Sequence, residues 1–282
     1  AQCVGVMALV GIIWWAVGYT LAFGDSGNGF IGSLENAFGG GISYSEGNGS
    51  IPMVEFMLFQ GTFAIVTSCI VFGATAERIR YSAILIFLAV WSVLVYAPMA
   101  HMVWGGGFLS AGLSDLGLPV QDFAGGTVVH ICSGISGVAA AVAIGRRSDH
   151  VIKGRSHNVP LMFIGCMLLW LGWFGFNCGS AGSFSDIAVL AMENTLLASC
   201  ASTVVWIVIQ YLHIGRISVT GLCAGVLAGL VGITPGCGFV EPWAAVVIGG
   251  VAAASTVSEV SGAPSRSGYS RWPPSAGRAT AD

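Results

Sequence analysis

Residues 122–137 read DFAGGTVVHICSGISG. A carboxylate, Asp122, opens the stretch, Gly125 and Gly126 turn the chain, and an apolar run follows with one ionisable ring, His130. An imidazole can take up or release a proton near neutral pH. Within an apolar, lipid-length helix an ionisable ring is expensive, and such rings mark ion or proton paths. Asp122 is too far along the chain to be its acid–base partner. Eight residues of helix separate the two by roughly 12 Å, which argues against an intramembrane enzyme built on the pair. Beside a helix start, the carboxylate is suited to capping free N–H groups and opposing the dipole. Ser133, Gly134, Ser136 and Gly137 then let another helix approach closely.

The other residues with chemistry to offer are aromatic. Phe56, Phe59 and Phe63 recur at helical spacing around Gln60, Trp104 precedes three glycines in HMVWGGG, and Trp173, Phe174 and Phe176 precede Ser180. Ring faces attract cations. Yet aromatic stripes ordinarily pack, and an interfacial Trp ordinarily anchors in the headgroup belt, so spacing leaves both readings open. His101, three residues before Trp104, reads as packing. The 8 cysteines form no CxxC pair and lie mostly in apolar runs. They read as small packing residues, with neither a metal site nor a disulfide framework. Glu193, beside Asn194 in an apolar run, has no role that the pattern explains.

Positioning these groups falls to apolar helices. The 282 residues are 55% hydrophobic and only 8% charged, with a mean hydropathy of +0.83. Soluble domains carry about 25% charged residues, so the composition is that of an all-α, polytopic membrane bundle. No basic stripe exists to follow phosphates, which excludes nucleic acid. Runs of about 20 apolar residues span a bilayer, and eight candidates stand out, at residues 3–23, 52–75, 80–103, 123–144, 159–179, 186–212, 218–236 and 242–257.

The connections alternate in charge. Arg78, Arg80, Arg146, Arg147, Lys153, Arg155 and Arg216 lie in the even ones, and Arg266, Arg271 and Arg278 follow the eighth run. The odd connections lack Lys and Arg and carry Asp25, Glu35, Glu46, Asp115, Asp186 and Glu241. Positive charge favours the cytoplasmic side, so both ends of the chain are expected there. Gly221, Gly225 and Gly229 make a smooth ridge for a neighbouring helix. The first external loop, 24–51, is Gly-, Ser- and Asn-rich and is expected to be irregular. The chain opens inside an apolar run too long for a signal sequence, as if its beginning were lost. Residues 1–257 are therefore taken as the membrane domain and 258–282, polar and Ser-, Pro- and Arg-rich, as an unrelated disordered tail.

Five strings in register, GATAERIR, HMVWGGG, DFAGGTVVH, GWFGFNCGSAG and AGLVGITPGCG, together resemble the ammonium transporter family (Amt/Mep/Rh), over about residues 4–257. The resemblance implies an eleven-helix bundle of two inverted five-helix repeats, assembled as a homotrimer in the plasma membrane, with one narrow pore per subunit. It implies a transporter or channel for nitrogen uptake rather than an enzyme, with no cofactor. The substrate is ammonium, with methylammonium as an analogue, and a cytoplasmic regulatory protein is a possible partner. Trp104, Phe63 and Ser180 match the external recruitment site, and Phe63 and Phe176 the two gating rings, with Phe59 and Gln60 alongside. His130 matches the first of two pore histidines that relay the proton when ammonium crosses as ammonia. Asp122 matches an acid at the external end of the same helix. On this plan the first, tenth and eleventh helices are missing, and with them the second histidine, since no histidine follows His213. The alternatives are an ammonium sensor of the same fold that signals to a cytoplasmic partner, and a non-functional fragment.

Overall fold

Hydrocarbon offers backbone amides no partner, so a spanning segment must satisfy its own hydrogen bonds, and a helix does so. A computed structural model describes residues 2–25, 28–45, 47–48, 50–114, 116–118, 120–145 and 158–262. Eight long helices occur among them. They are α1 (Gln2–Phe23), α2 (Met53–Thr75), α3 (Tyr81–Trp104), α4 (Gly126–Ile144), α5 (Val159–Gly179), α6 (Asp186–Ile214), α7 (Val219–Ile233) and α8 (Pro242–Gly262). The first 6 are long and apolar enough to cross a membrane, while α7 and the apolar part of α8, Pro242–Val257, are shorter.

The helix ends follow from local chemistry. Asn158 and Ser218 cap α5 and α7, each accepting a backbone N–H three residues on, at 2.8 and 3.0 Å. Helix α7 stops at Ile233, short of the expected 236, because Pro235 lacks a donor. Helix α8 runs past the expected 257 to Gly262. The rest of the expected tail, with Arg266, Arg271 and Arg278, lies outside the described residues, as do Glu46, Asp115, Arg146, Arg147, Lys153 and Arg155. The connection between α1 and α2 holds a minimal antiparallel pair, Gly47–Asn48 with Ile51–Pro52.

Three helices contain a wider π turn, at Trp14–Gly18 in α1, Ser92–Tyr96 in α3 and Gly126–Ile131 in α4. Such turns cluster at functional sites, and the third one holds His130.

Hydrogen bonds sort the connections to two ends of the bundle. At one end, Arg78 bonds the Gly145 carbonyl at 2.7 Å and the Ala74 carbonyl, tying α2 to α4, and the Tyr81 hydroxyl donates to Gln2 O at 3.0 Å. At the other end, Phe108 N–H donates to Gly29 O at 2.7 Å and Phe123 N–H to Pro235 O at 3.0 Å.

Two halves meet in the middle. Helices α1–α4 share a core that includes Val6, Trp14, Phe63, Leu88, Tyr96 and Val128, while α5 and α7 share Cys166, Trp173, Val226 and Leu230. In the second half the glycine ridge of α7 faces α6. A Cβ on Gly225 would meet Trp206, and one on Gly229 would meet Ser202 and the backbone of Ala198 and Ser199. Phe176 packs against both cores and against a third one around Ala191, Ile233 and Cys237. The seam between the halves therefore runs through one of the candidate site residues.

Candidate functional site

Asp122 builds the start of α4. The carboxylate is nearly buried, 7% exposed, and both oxygens are fully used. Oδ1 accepts Gly125 and Gly126 N–H at 2.8 and 2.6 Å, and Oδ2 accepts Thr127 and Val128 N–H at 2.8 and 3.1 Å. These are the donors that a helix start otherwise leaves unpaired, and an ionised acceptor binds them about twice as strongly as a neutral one. The turn needs glycine at Gly125, where φ is +102°. Gly126 is required for closeness, because a Cβ there would overlap the Pro235 ring. The backbone of Asp122 works as well, since its carbonyl accepts Trp104 Nε1–H at 2.8 Å. One residue thus fixes both Trp104 and the helix that carries the histidine.

A line of rings joins these two points. Phe63, 1% exposed, meets Trp104 edge-on with centroids 5.7 Å apart and Phe59 at 4.9 Å. Phe63 and Phe176 lie face to face, 4.3 Å apart and 30° from parallel. Phe176 contacts Trp173 at 5.1 Å and His130 at 6.1 Å. Trp173 stacks on the His130 imidazole at 5.4 Å, with the planes 11° apart. Nε2 of His130 is buried and has no hydrogen-bond partner among the described residues.

Not every candidate joins this line. The Ser180 hydroxyl donates to Phe176 O at 2.9 Å, within its own helix, and is not drawn into a bond with Trp104. Gln60 is buried, with Oε1 unpaired among the described residues. His101 is buried with Nδ1 3.1 Å from Ala22 O, a tie between α3 and α1. Glu193 lies on the exposed face of α6, which removes the cost of burial but supplies no role. No group of three or more potential metal ligands occurs among the described residues.

Sequence reasoning names Trp173 among the aromatics before Ser180 but gives it no role at the site. Its spacing of three from Phe176 puts both on one face of α5. Only the fold shows that this face meets His130.

Fold and site define a class: a multi-pass membrane bundle with a line of aromatic rings in contact that ends at a buried imidazole. Residues 1–265 match the Ammonium Transporter Family. A Bacillus subtilis (strain 168) protein, "Ammonium transporter", is 44% identical over 245 residues, which are 86% of this chain and 59% of that protein. The crystal structure of Saccharomyces cerevisiae Mep2 superposes with a TM-score of 0.81 at 39% identity, over 88% of this chain and 57% of that one. A structure titled "Sensor Amt Protein" gives 0.80 at 30% identity, over 91% of this chain and 64% of that one. The chain belongs to the ammonium transporter family. It spans somewhat over half the length of these relatives.

Proposed function

We propose that this protein carries ammonium across the plasma membrane and that residues 1–257 line part of the path. The observation behind this reading is the unbroken run of ring contacts from Trp104 through Phe63, Phe176 and Trp173 to His130, ending at an unpartnered imidazole nitrogen. Trp104, Phe63 and Ser180 recruit the cation, each aromatic face contributing about 0.5–2 kcal/mol depending on desolvation. The Ser180 proton is already given to Phe176, so its hydroxyl presents lone pairs outward. That suits a cation made only of donors.

Phe63 and Phe176 form the gate, with Phe59 and Gln60 beside it. Rings 4.3 Å apart leave no passage for a hydrated ion, so the substrate sheds water and the rings part. Beyond the gate an uncompensated charge costs several kcal/mol. Surrender of a proton to His130 leaves neutral ammonia free to cross and moves the charge to the imidazole, which recovers its neutral form by passing the proton on to a second group of the whole protein. Asp122 keeps the helix start in place. The end carrying Arg78, Arg80 and Arg216 is cytoplasmic, and the molecule works as a homotrimer under a cytoplasmic regulatory protein.

The likeness to the sensor structure favours a second reading, in which occupancy of the same site signals to a cytoplasmic partner. Methylammonium uptake separates the two. The whole gene, expressed in cells lacking their own ammonium transporters, should give saturable uptake. His130→Ala should change or abolish its selectivity against other cations. Absence of uptake from a correctly inserted protein overturns the transport reading and leaves the sensor.

A further inference from the structure

We infer that Thr234, at the end of α7, is a positioning residue for the His130 ring. The inference rests on the transport reading above only for its consequence, not for its geometry. Trp173 stacks on His130 with the planes 11° apart, so whatever fixes the indole fixes the imidazole. The indole is fixed at its edge, where Nε1–H donates to Thr234 Oγ1 at 3.0 Å. The Thr234 proton is committed elsewhere, to Leu230 O at 2.7 Å, which leaves the oxygen as an acceptor facing Trp173. Both residues are buried, with Thr234 0% and Trp173 6% exposed, so no solvent competes for the bond.

The arrangement recurs once, where Trp91 Nε1–H donates to Ser136 Oγ at 3.1 Å, but it is not universal in this bundle. Trp170 and Trp206 also have buried indole nitrogens, and neither has a partner among the described residues. Burial of an indole therefore does not by itself bring a hydroxyl to it. The neighbouring residue points to the same corner. Pro235 lies against Gly126 so tightly that a Cβ there would overlap its ring, and Pro235 O accepts Phe123 N–H at 3.0 Å. The end of α7 thus registers His130 twice, its ring through Trp173 and its helix through Gly126 and Phe123. This matters because proton transfer is sensitive to the placement of the accepting nitrogen.

The test compares Thr234→Val, which keeps the shape and removes the acceptor, with Thr234→Ser, which keeps the acceptor. The protein from the whole gene is reconstituted in lipid vesicles with ring-labelled histidine. The His130 signal is identified by its loss in His130→Gln. Valine should move the His130 ring resonances, which sense the stacked indole, and lower the ammonium-to-potassium flux ratio about tenfold, the loss expected of one buried hydrogen bond. Serine should restore both. Unmoved resonances in the valine variant overturn the inference, and so does a moved signal with an unmoved ratio. If the valine variant does not assemble, Thr234→Ala is read in the same two ways. If the parent moves no ammonium, the transport reading falls, and the ring signal alone decides whether Thr234 holds His130.

Discussion

Trp104 is held at both its edge and its face. Its N–H is spent on Asp122 O and its ring meets Phe63, so what remains for a ligand is the open part of its π surface. Replacing it with leucine keeps apolar bulk and removes that surface. Trp104→Leu should therefore raise the concentration for half-maximal methylammonium uptake about fivefold, the equivalent of ~1 kcal/mol of cation–π attraction, and leave the maximal rate nearly unchanged. Saturation at the parent concentration counts against recruitment by aromatic faces. Asp122 makes a different kind of prediction, because its two oxygens accept four N–H groups. Asp122→Asn keeps one acceptor and turns an amide NH2 toward two backbone donors. It should cost about 2–3 kcal/mol, seen as a lower unfolding midpoint in detergent. A midpoint equal to the parent's would mean that these bonds do not hold α4. Asp122 and His130 stood out in the sequence because ionisable groups are rare in apolar runs. Trp173 stood out only as one aromatic among several and Thr234 not at all, because indoles and hydroxyls are ordinary in such runs, and their meaning comes from a contact across 61 residues of chain.

Among elements, the helices were legible and their internal defects were not. Apolar length marks a span whatever its hydrogen-bond register, so the runs at 3–23 and 80–103 gave α1 and α3 to within a residue or two. The π turns inside them shift side-chain register without altering composition, and nothing in the residue pattern announces them. Charge alternation sorted the connections, whereas the hairpin near Ile51 is too short to carry a period. The junction of α4 with the end of α7 is open to direct test through a pair of glycines on one helix. A methyl at Gly126 would overlap Pro235, while one at Gly134 would meet nothing within 4 Å. Gly126→Ala should destabilise the protein by about 1–3 kcal/mol, the usual result of overpacking. Gly134→Ala should be neutral or slightly stabilising through helix propensity. Equal unfolding midpoints for the two variants would show that close approach at Gly126 is not what joins the halves.

At the scale of the molecule, the proposed direction of transport depends on which end faces the cytoplasm. The two ends are distinguished by hydrogen bonds that do not depend on a membrane. Tyr81 ties the start of α3 to Gln2, and Arg78 ties the end of α2 to the end of α4, while the loop containing Gly29 is tied to Phe108 at the opposite end. Described cations in the connections, Arg78, Arg80 and Arg216, occupy even connections. A positive connection resists translocation because moving it across costs its hydration and works against the membrane potential. The chain supplies its own probe for the result, since Cys3 is exposed beside the Gln2 end. Tyr44, 81% exposed, and Phe184, 100% exposed, lie in odd connections and can be changed to cysteine once the other exposed cysteine, Cys200, is replaced by serine. In intact cells a membrane-impermeant thiol reagent should label Tyr44→Cys and Phe184→Cys, and should reach Cys3 only after permeabilisation. Labelling of Cys3 alone would invert the molecule and place the proposed recruitment site at Trp104 inside. Labelling of all three in intact cells would break the alternation of the connections, and with it the proposed path from Trp104 to His130.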